Sequence, residues 1–188
     1  HRLYKIDKSI RKKVERFDFH GIFTEIHDFC NSDLSAFYFD VRKDNLYCDA
    51  PDSIERRGCR TVMDKVLRCL IAWIAPILPF TADEAWFALS KDENDSIHLR
   101  HYQDIDKEWQ SDAIASRWAS IRMLRSQVTS ALEAARSAGD IGSSLSASVH
   151  LTVSAETASL LKGIDLASLF ITSAAEMSFD TEADFSVE

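Results

Sequence analysis

The sequence lacks the patterns that would assign it to a common class of enzyme or membrane protein. No run approaches about 18 uncharged apolar residues, so no segment is long enough to span a bilayer. There is no glycine-rich phosphate loop, no nucleophile elbow and no pair of carboxylates in a catalytic context. The four cysteines form no C-x-x-C pair, and the histidines have no metal-ligand spacing. These absences predict a chain with no catalytic residue, no metal and no cofactor of its own.

The N-terminal segment has neither the apolar core of a signal peptide nor an initial methionine. It reads HRLYKIDKSIRKK and begins in the middle of a helical pattern, which predicts that the chain is a piece of a longer protein. Cys30, Cys59 and Cys69 fall in helical patterns and are expected to be reduced residues in or near the core. A reducing, cytoplasmic location fits this use of cysteine.

Charge is distributed unevenly along the chain. The net charge of −8 argues against binding to nucleic acid. However, residues 1–16 carry seven bases and two acids, and residues 113–136 carry four arginines and one acid. Residues 83–112 carry nine acids and three bases. Because the local field decides where a polyanion docks, the basic segments are compatible with RNA binding, although such runs are also typical of solvated helix faces.

Apolar residues at helical spacing predict a mainly α chain, in which residues 1–138 form an antiparallel helical bundle. The predicted helices cover residues 1–17, 19–43, 53–75, 81–90 and 107–138. Asp52 or Ser53 is expected to cap the third helix, and Ile54, Val62 and Trp73 are expected on its inner face. Gly139 is expected to end the last helix.

The stretch IAWIAPILPFTADEAW, residues 71–86, joins the third and fourth predicted helices. Pro76 has no amide donor and is expected to end or kink the third helix. Thr81 and Glu84 have the spacing of a capping box at the start of the fourth helix. The apolar content of this stretch predicts a buried elbow that includes Phe80.

The pattern changes after residue 138. Apolar and polar residues alternate over 145–153, which predicts a half-buried strand. A short helix over 156–162 and a second strand near 169–179 are expected to follow. Residues 139–188 are therefore predicted to form a small α+β appendage.

Helix connectivity predicts one group of residues with RNA-binding chemistry. Antiparallel neighbours bring the end of the second helix and the start of the third to the same end of the bundle, around the polar loop 44–53. The start of the first helix, with Arg2, is expected to return to that end as well. The group, called here the loop-end cluster, comprises Arg42, Lys43, Asn45, Tyr47, Arg56, Arg57 and Arg60. Cations pair with RNA phosphates and aromatic rings stack on unstacked bases. An ordinary solvated bundle end has the same composition and is the alternative.

Three segments resemble one known family. The sequences DLSAFYFDVRKDNLYCDAPDS (33–53), APILPFTADEAW (75–86) and VTSALEAARSAGDIGSSLSASVHL (128–151) resemble the anticodon-binding region of class I aminoacyl-tRNA synthetases. Within that family they are most similar to the isoleucyl enzymes. The resemblance covers roughly residues 1–151 and agrees with the bundle derived from periodicity.

The resemblance implies that the chain recognises the anticodon arm of an isoleucine tRNA and has the rest of a synthetase chain as its other partner. It implies a ligase that activates isoleucine with ATP and Mg in a catalytic domain outside these residues, in cytoplasmic protein synthesis. Contact with membrane or DNA is not expected. Many family members end in a four-cysteine zinc module, and its spacing does not occur here. The basic face of the last long helix, with Arg122, Arg125 and Arg136, is expected to follow the anticodon stem, and a solvated face is the alternative.

Two other functions fit the same residues. The first is the corresponding domain of another class I synthetase, with the valyl enzyme as the strongest candidate. The second is a helical protein–protein adaptor whose basic ends have no role in binding RNA. Salt dependence of RNA binding would separate the adaptor from the synthetase domains, because each neutralised phosphate releases counterions.

Overall fold

The computed structural model describes residues 1–92, 94–179 and 186–187. These residues are mainly helical, which confirms the predicted fold class. They form two compact units, residues 1–111 and 112–188. The helices of the first unit are α1 (Arg2–Glu15), α2 (Phe19–Asp28), α3 (Asp40–Tyr47), α4 (Ile54–Ile74) and α5 (Pro79–Ser90). The second unit contains α6 (Asp112–Ala138), β1 (Ser148–Val153), α7 (Ala155–Leu161), α8 (Leu166–Phe170), β2 (Ala174–Phe179) and β3 (Ser186–Val187).

Helices α1 and α2 lie antiparallel, as paired side chains along their length show. The Lys13 ammonium near the end of α1 donates to the Gly21 carbonyl at 2.9 Å, close to the start of α2, and to the Glu25 carboxylate at 2.8 Å. The Arg2 guanidinium at the other end of α1 donates to Asp33 at 2.9 Å. The expectation that Arg2 returns to the loop-end cluster is therefore wrong. Helix α1 has only 14 residues, so its first turn is level with Asp33 rather than with Tyr47.

The second helix is longer than predicted and is not regular. A π-helical segment, Phe29–Phe39, connects α2 to α3, so the chain is helical without a break from residue 19 to residue 47. The predicted end at Lys43 is wrong by one turn, because Cys48 still donates its amide to the Asp44 carbonyl at 2.8 Å. The connection to α4 shortens to residues 48–53 as a result.

Helix α4 is held in the core of the first unit by its C-terminal half. Trp73 is 1% exposed, and its indole nitrogen donates to the Asp7 carboxylate of α1 at 3.2 Å. Ser53 caps the helix by accepting from the Arg56 amide at 3.1 Å, as predicted. The predicted inner face is wrong in its first half: Ile54 is 81% exposed, and the buried residue of that half is Cys59.

The elbow after α4 is only partly buried. Helix α4 ends at Ile74, before Pro76, as the proline predicts. Helix α5 then begins at Pro79, which occupies the first turn, where a missing amide donor is tolerated. The predicted start at Thr81 is therefore wrong, because the helix has already begun there. Phe80 is 89% exposed, which contradicts the predicted burial of that side chain.

The second unit combines one long helix with a small sheet. Gly139 ends α6 at a φ of 86°, as predicted, and a side chain there would be strained. Strands β1 and β2 run parallel, with Leu151 opposite Met177, while β3 pairs antiparallel with the other edge of β1. The crossover between β1 and β2 contains α7 and α8, and these two helices contact α6. The alternation predicted for 145–153 is confirmed from residue 148 onward.

The compact units do not follow the predicted division at residue 138. Helix α6 lies in the second unit because α7 and α8 pack against it. The assignment of residues 1–138 and 139–188 to two domains stays a prediction, since contacts within a fold do not test which segments fold independently.

Candidate nucleic-acid interface

The loop-end cluster is built around a single loop residue, Asp49. Its carboxylate accepts from the Asn45 amide at 3.0 Å and from the Ser53 hydroxyl at 3.4 Å. Its backbone carbonyl accepts from the Arg56 guanidinium at 2.6 Å. These bonds tie the end of α3 to the first turn of α4. The connection 48–53 is consequently fixed at both ends.

Two of the predicted arginines belong to this framework. The Arg42 guanidinium donates to the Asn45 side-chain oxygen at 3.1 Å, and this bond turns the amide nitrogen of Asn45 toward Asp49. Arg56 is half-buried, and its Nε is buried without an acceptor among the described residues. A buried donor of this kind retains its capacity to bind an added acceptor. Lys43 pairs with Asp40 at 3.3 Å across one helical turn.

The remaining members of the loop-end cluster face solvent. Tyr47 is 84% exposed, and Arg57 and Arg60 are also exposed. Within the described part of the chain, neither guanidinium makes a hydrogen bond or an ion pair. The cluster is thus divided into a tethered part, which shapes the loop, and an exposed part with one ring and two cations. This exposed part supplies a ring and cations, which are the groups that interact with unstacked bases and phosphates.

Tyr38 and Cys59 lie close together near the loop-end cluster. Tyr38 of the π-helical segment is half-buried and lies close to the buried Cys59 of α4. Burial raises the pKa of Tyr38 to about 12; the neighbouring Cys59 adds to this rise, and Arg42 opposes it. The Tyr38 hydroxyl is therefore neutral at physiological pH.

The predicted cations of α6 have different surroundings. The Arg125 Nε donates to the Leu169 carbonyl of α8 at 2.9 Å, and Arg125 is half-buried. Arg136 is exposed and pairs with Glu133 one turn away. Arg122 is half-buried on the same helix. A role of these three residues on an anticodon stem stays a prediction, and Arg125 already has a protein partner.

Sequence reasoning missed Asp49 and Arg68. The sequence predicts only a polar loop around Asp49 and does not indicate that this residue organises the loop. Its spacing from Asn45 and Ser53, four residues on either side, could have indicated a loop tether. Arg68 lies 11 residues after Arg57, which is about three helical turns, so both side chains lie on the same face of α4.

The described residues contain neither a candidate metal site nor a candidate membrane span. Among them, no three His, Cys, Asp or Glu side chains lie close enough together to hold a metal ion. None of the helices in the described ranges is both long enough and apolar enough to cross a membrane. Neither result bears on ATP, Mg or zinc elsewhere in a longer protein.

Known proteins are similar to this chain along almost its whole length. A family model described as the anticodon-binding domain of tRNA ligase matches residues 1–151. The isoleucine–tRNA ligase of Gluconobacter oxydans is 48% identical over 176 residues, which are 94% of this chain and 18% of that protein. The corresponding protein of Agrobacterium fabrum is 47% identical over 176 residues, 93% of this chain and 18% of its own length. That of Bartonella quintana is 40% identical over 181 residues.

The chain spans about 18% of the length of these curated relatives. The matched residues include the loop-end cluster and all of α1 to α6. Because the family model covers well over half of the residues, the chain belongs to the family of anticodon-binding domains of tRNA ligases.

Proposed function

We propose that the chain recognises the anticodon arm of isoleucine tRNA as part of a cytoplasmic isoleucine–tRNA ligase. The observation that carries this proposal is the match of residues 1–151 to the anticodon-binding family, together with identities of 40–48% to three isoleucine–tRNA ligases. In the whole enzyme, isoleucine would be activated with ATP and Mg in a catalytic domain. No residue of this chain is assigned to that step.

The loop-end cluster supports this proposal because its tethered residues shape the loop and its exposed residues are accessible to RNA. Asp49 holds Asn45 and Arg56 in place, so the loop needs little rearrangement before RNA binds. Arg57 and Arg60 would pair with phosphates or stack on bases, and Tyr47 would stack on an unpaired base. A preformed site loses less conformational entropy on binding than a mobile one.

The experiment that tests the proposal compares two RNAs. The full chain is titrated with an isoleucine tRNA transcript and with the same transcript carrying a different anticodon, at low and at moderate salt. We expect weaker binding to the replaced anticodon, and affinity that falls with salt by about 0.7–0.9 log units per log salt for each phosphate contacted.

Each alternative function predicts a different outcome of this comparison. Equal, salt-sensitive binding to both RNAs would mean that the chain holds the backbone without reading bases. Tighter binding to a valine tRNA transcript would assign the domain to a valyl enzyme. Absence of binding to all transcripts would contradict RNA recognition by this chain and favour a protein–protein adaptor.

A further inference from the structure

A polar cleft lies in the first unit, at the opposite end of α4 from the loop-end cluster. It has a volume of about 610 Å3 and is called here the α4–α5 cleft. Ala72, Trp86 and Ile97 contribute apolar surface to its lining, and Arg68 and Arg100 contribute cationic groups. This volume lies within the range of small-molecule and cofactor sites.

The Trp86 indole and the Arg68 side chain, which line the cleft, each have a donor without an acceptor among the described residues. Trp86 is 7% exposed, and its buried Nε1 donates to none of the described residues. Arg68 donates to both oxygens of Asp64 at 3.0 Å, but only through Nε. The terminal nitrogens of Arg68 therefore have no hydrogen-bond acceptor in the described chain. Buried donors are nearly always paired in folded proteins, so an unpaired indole N–H beside a cleft indicates a missing acceptor.

The segment 96–103, which lines one side of the cleft, is held in place by hydrogen bonds near both of its ends. The Asp83 carboxylate of α5 accepts from the Ile97 amide at 3.1 Å and from the Ser96 hydroxyl. At the far end of the segment, the Arg11 guanidinium donates to the Gln103 carbonyl at 2.8 Å. The Ser96 hydroxyl bond lowers the pKa of Asp83, so this carboxylate stays ionised well below neutral pH. The segment 96–103, which contributes to the lining, is therefore held in place without a ligand.

The face of α4 connects this cleft to the loop-end cluster. Arg57 and Arg68 lie on the same helix face, about 16 Å apart along the helix axis at 1.5 Å per residue. Arg60 lies between them on neighbouring turns. A polyanion bound at Arg57 and Arg60 would pass Asp64, whose charge Arg68 neutralises, before it reaches Arg68 and the cleft.

We propose that the α4–α5 cleft takes one unstacked nucleotide of the tRNA that is bound at the loop-end cluster, which makes this inference dependent on the proposed function. The apolar lining around Ala72 and Ile97 would contact the base, and a base oxygen or nitrogen would accept from the Trp86 indole. Arg68 would pair with the flanking phosphate through its terminal nitrogens, while Arg100 stays paired with Asp95. RNA-binding proteins commonly hold such splayed bases between apolar and hydrogen-bonding side chains.

The test follows the indole N–H signal of Trp86 by NMR in the full chain, labelled with 15N, as isoleucine tRNA transcript is added. We expect this signal to move downfield when RNA binds, because a new acceptor takes the proton. Arg68→Gln should weaken binding of the transcript about tenfold, which is the effect of removing one charge-assisted hydrogen bond. The matched control is Arg16→Gln, which removes an exposed cation of the same unit outside both sites and should leave affinity within twofold.

The possible results separate the two proposals. A bound transcript with an unchanged Trp86 signal would overturn the nucleotide cleft and leave anticodon recognition intact; the cleft would then belong to a protein segment or to water. Equal loss of affinity in Arg68→Gln and Arg16→Gln would also overturn it, because the effect would be one of net charge. Complete absence of RNA binding would contradict the proposed function, and the nucleotide cleft with it.

Discussion

Helices α4 and α6 carry four arginines each, but the two sets have different surroundings. On α4, Arg57 and Arg60 are exposed and have no partner among the described residues. On α6, Arg117 donates to the carbonyls of Leu160 and Lys162, at 2.8 and 2.7 Å, where α7 ends. An arginine-rich helix can therefore present its cations to solvent or hold its own unit together, depending on the acceptor atoms that lie beside it.

The difference arises from backbone carbonyls at helix ends that have no partner within their own helix. The last four carbonyl groups of any helix lack a partner within the helix. Helices α7 and α8 are short and end beside α6, so their last carbonyls lie within reach of Arg117 and Arg125. A cation at a helix C-terminus is also favoured by the helix dipole. The end of α3 lies beside the first turn of α4, and Arg56 donates to the Asp49 carbonyl there, whereas Arg57 and Arg60 are exposed.

Trp73→Ala is expected to have the largest effect, and it contrasts the inner face of α4 with its outer face. The substitution leaves a cavity at a side chain that is 1% exposed and removes the donor to Asp7. The free energy of unfolding should fall by about 3–5 kcal/mol. Urea denaturation measures this value, with Trp109→Ala as the control because Trp109 is 42% exposed. A loss below about 1 kcal/mol would show that this face of α4 does not hold the core.

Arg117→Ala tests whether the arginines of α6 hold the second unit together. Loss of two hydrogen bonds from a charged group should lower the free energy of unfolding by about 2 kcal/mol. Affinity for an isoleucine tRNA transcript should not change. Arg136→Ala on the same helix is the control, because an exposed pair with Glu133 contributes less than about 1 kcal/mol. Unchanged stability with weakened RNA binding would reverse the comparison between the two helices.

Features that depend on neighbouring residues could be predicted from the sequence, and features that depend on packing could not. Local chemistry was read correctly: Ser53 caps α4 and Gly139 ends α6, since a cap depends on a few neighbouring residues. The start of α5 was missed because two starts were available and proline at Pro79 supplies the earlier one. Helical spacing also could not reveal that Ile54 lies at the exposed end of α4, beyond the reach of the core.

For the candidate site, residue types were predictable but their partners were not. Asn45 and Tyr47 belong to the same predicted cluster, yet one is tethered to Asp49 and the other is exposed. Arg125 was grouped with RNA-binding cations because nothing in the sequence indicates the carbonyl of Leu169 beside it. These contacts join residues that are distant in sequence, and a single sequence contains no measure of such distances.

Arg57→Ala is expected to have the smallest effect on the fold and tests the outer face of α4 directly. The side chain is exposed and has no protein partner among the described residues, so the free energy of unfolding should stay within about 0.5 kcal/mol of the parent value. Affinity for an isoleucine tRNA transcript should fall about tenfold, since one charge-assisted contact is lost, and the salt slope should become shallower by about one phosphate. Binding is measured by fluorescence anisotropy at several salt concentrations.

Arg57→Lys keeps the charge but loses the planar fork, so partial recovery of affinity would indicate a phosphate contact and no recovery would indicate stacking on a base. Full affinity in Arg57→Ala and in the double variant with Arg60→Ala would place the RNA-binding surface elsewhere on the chain.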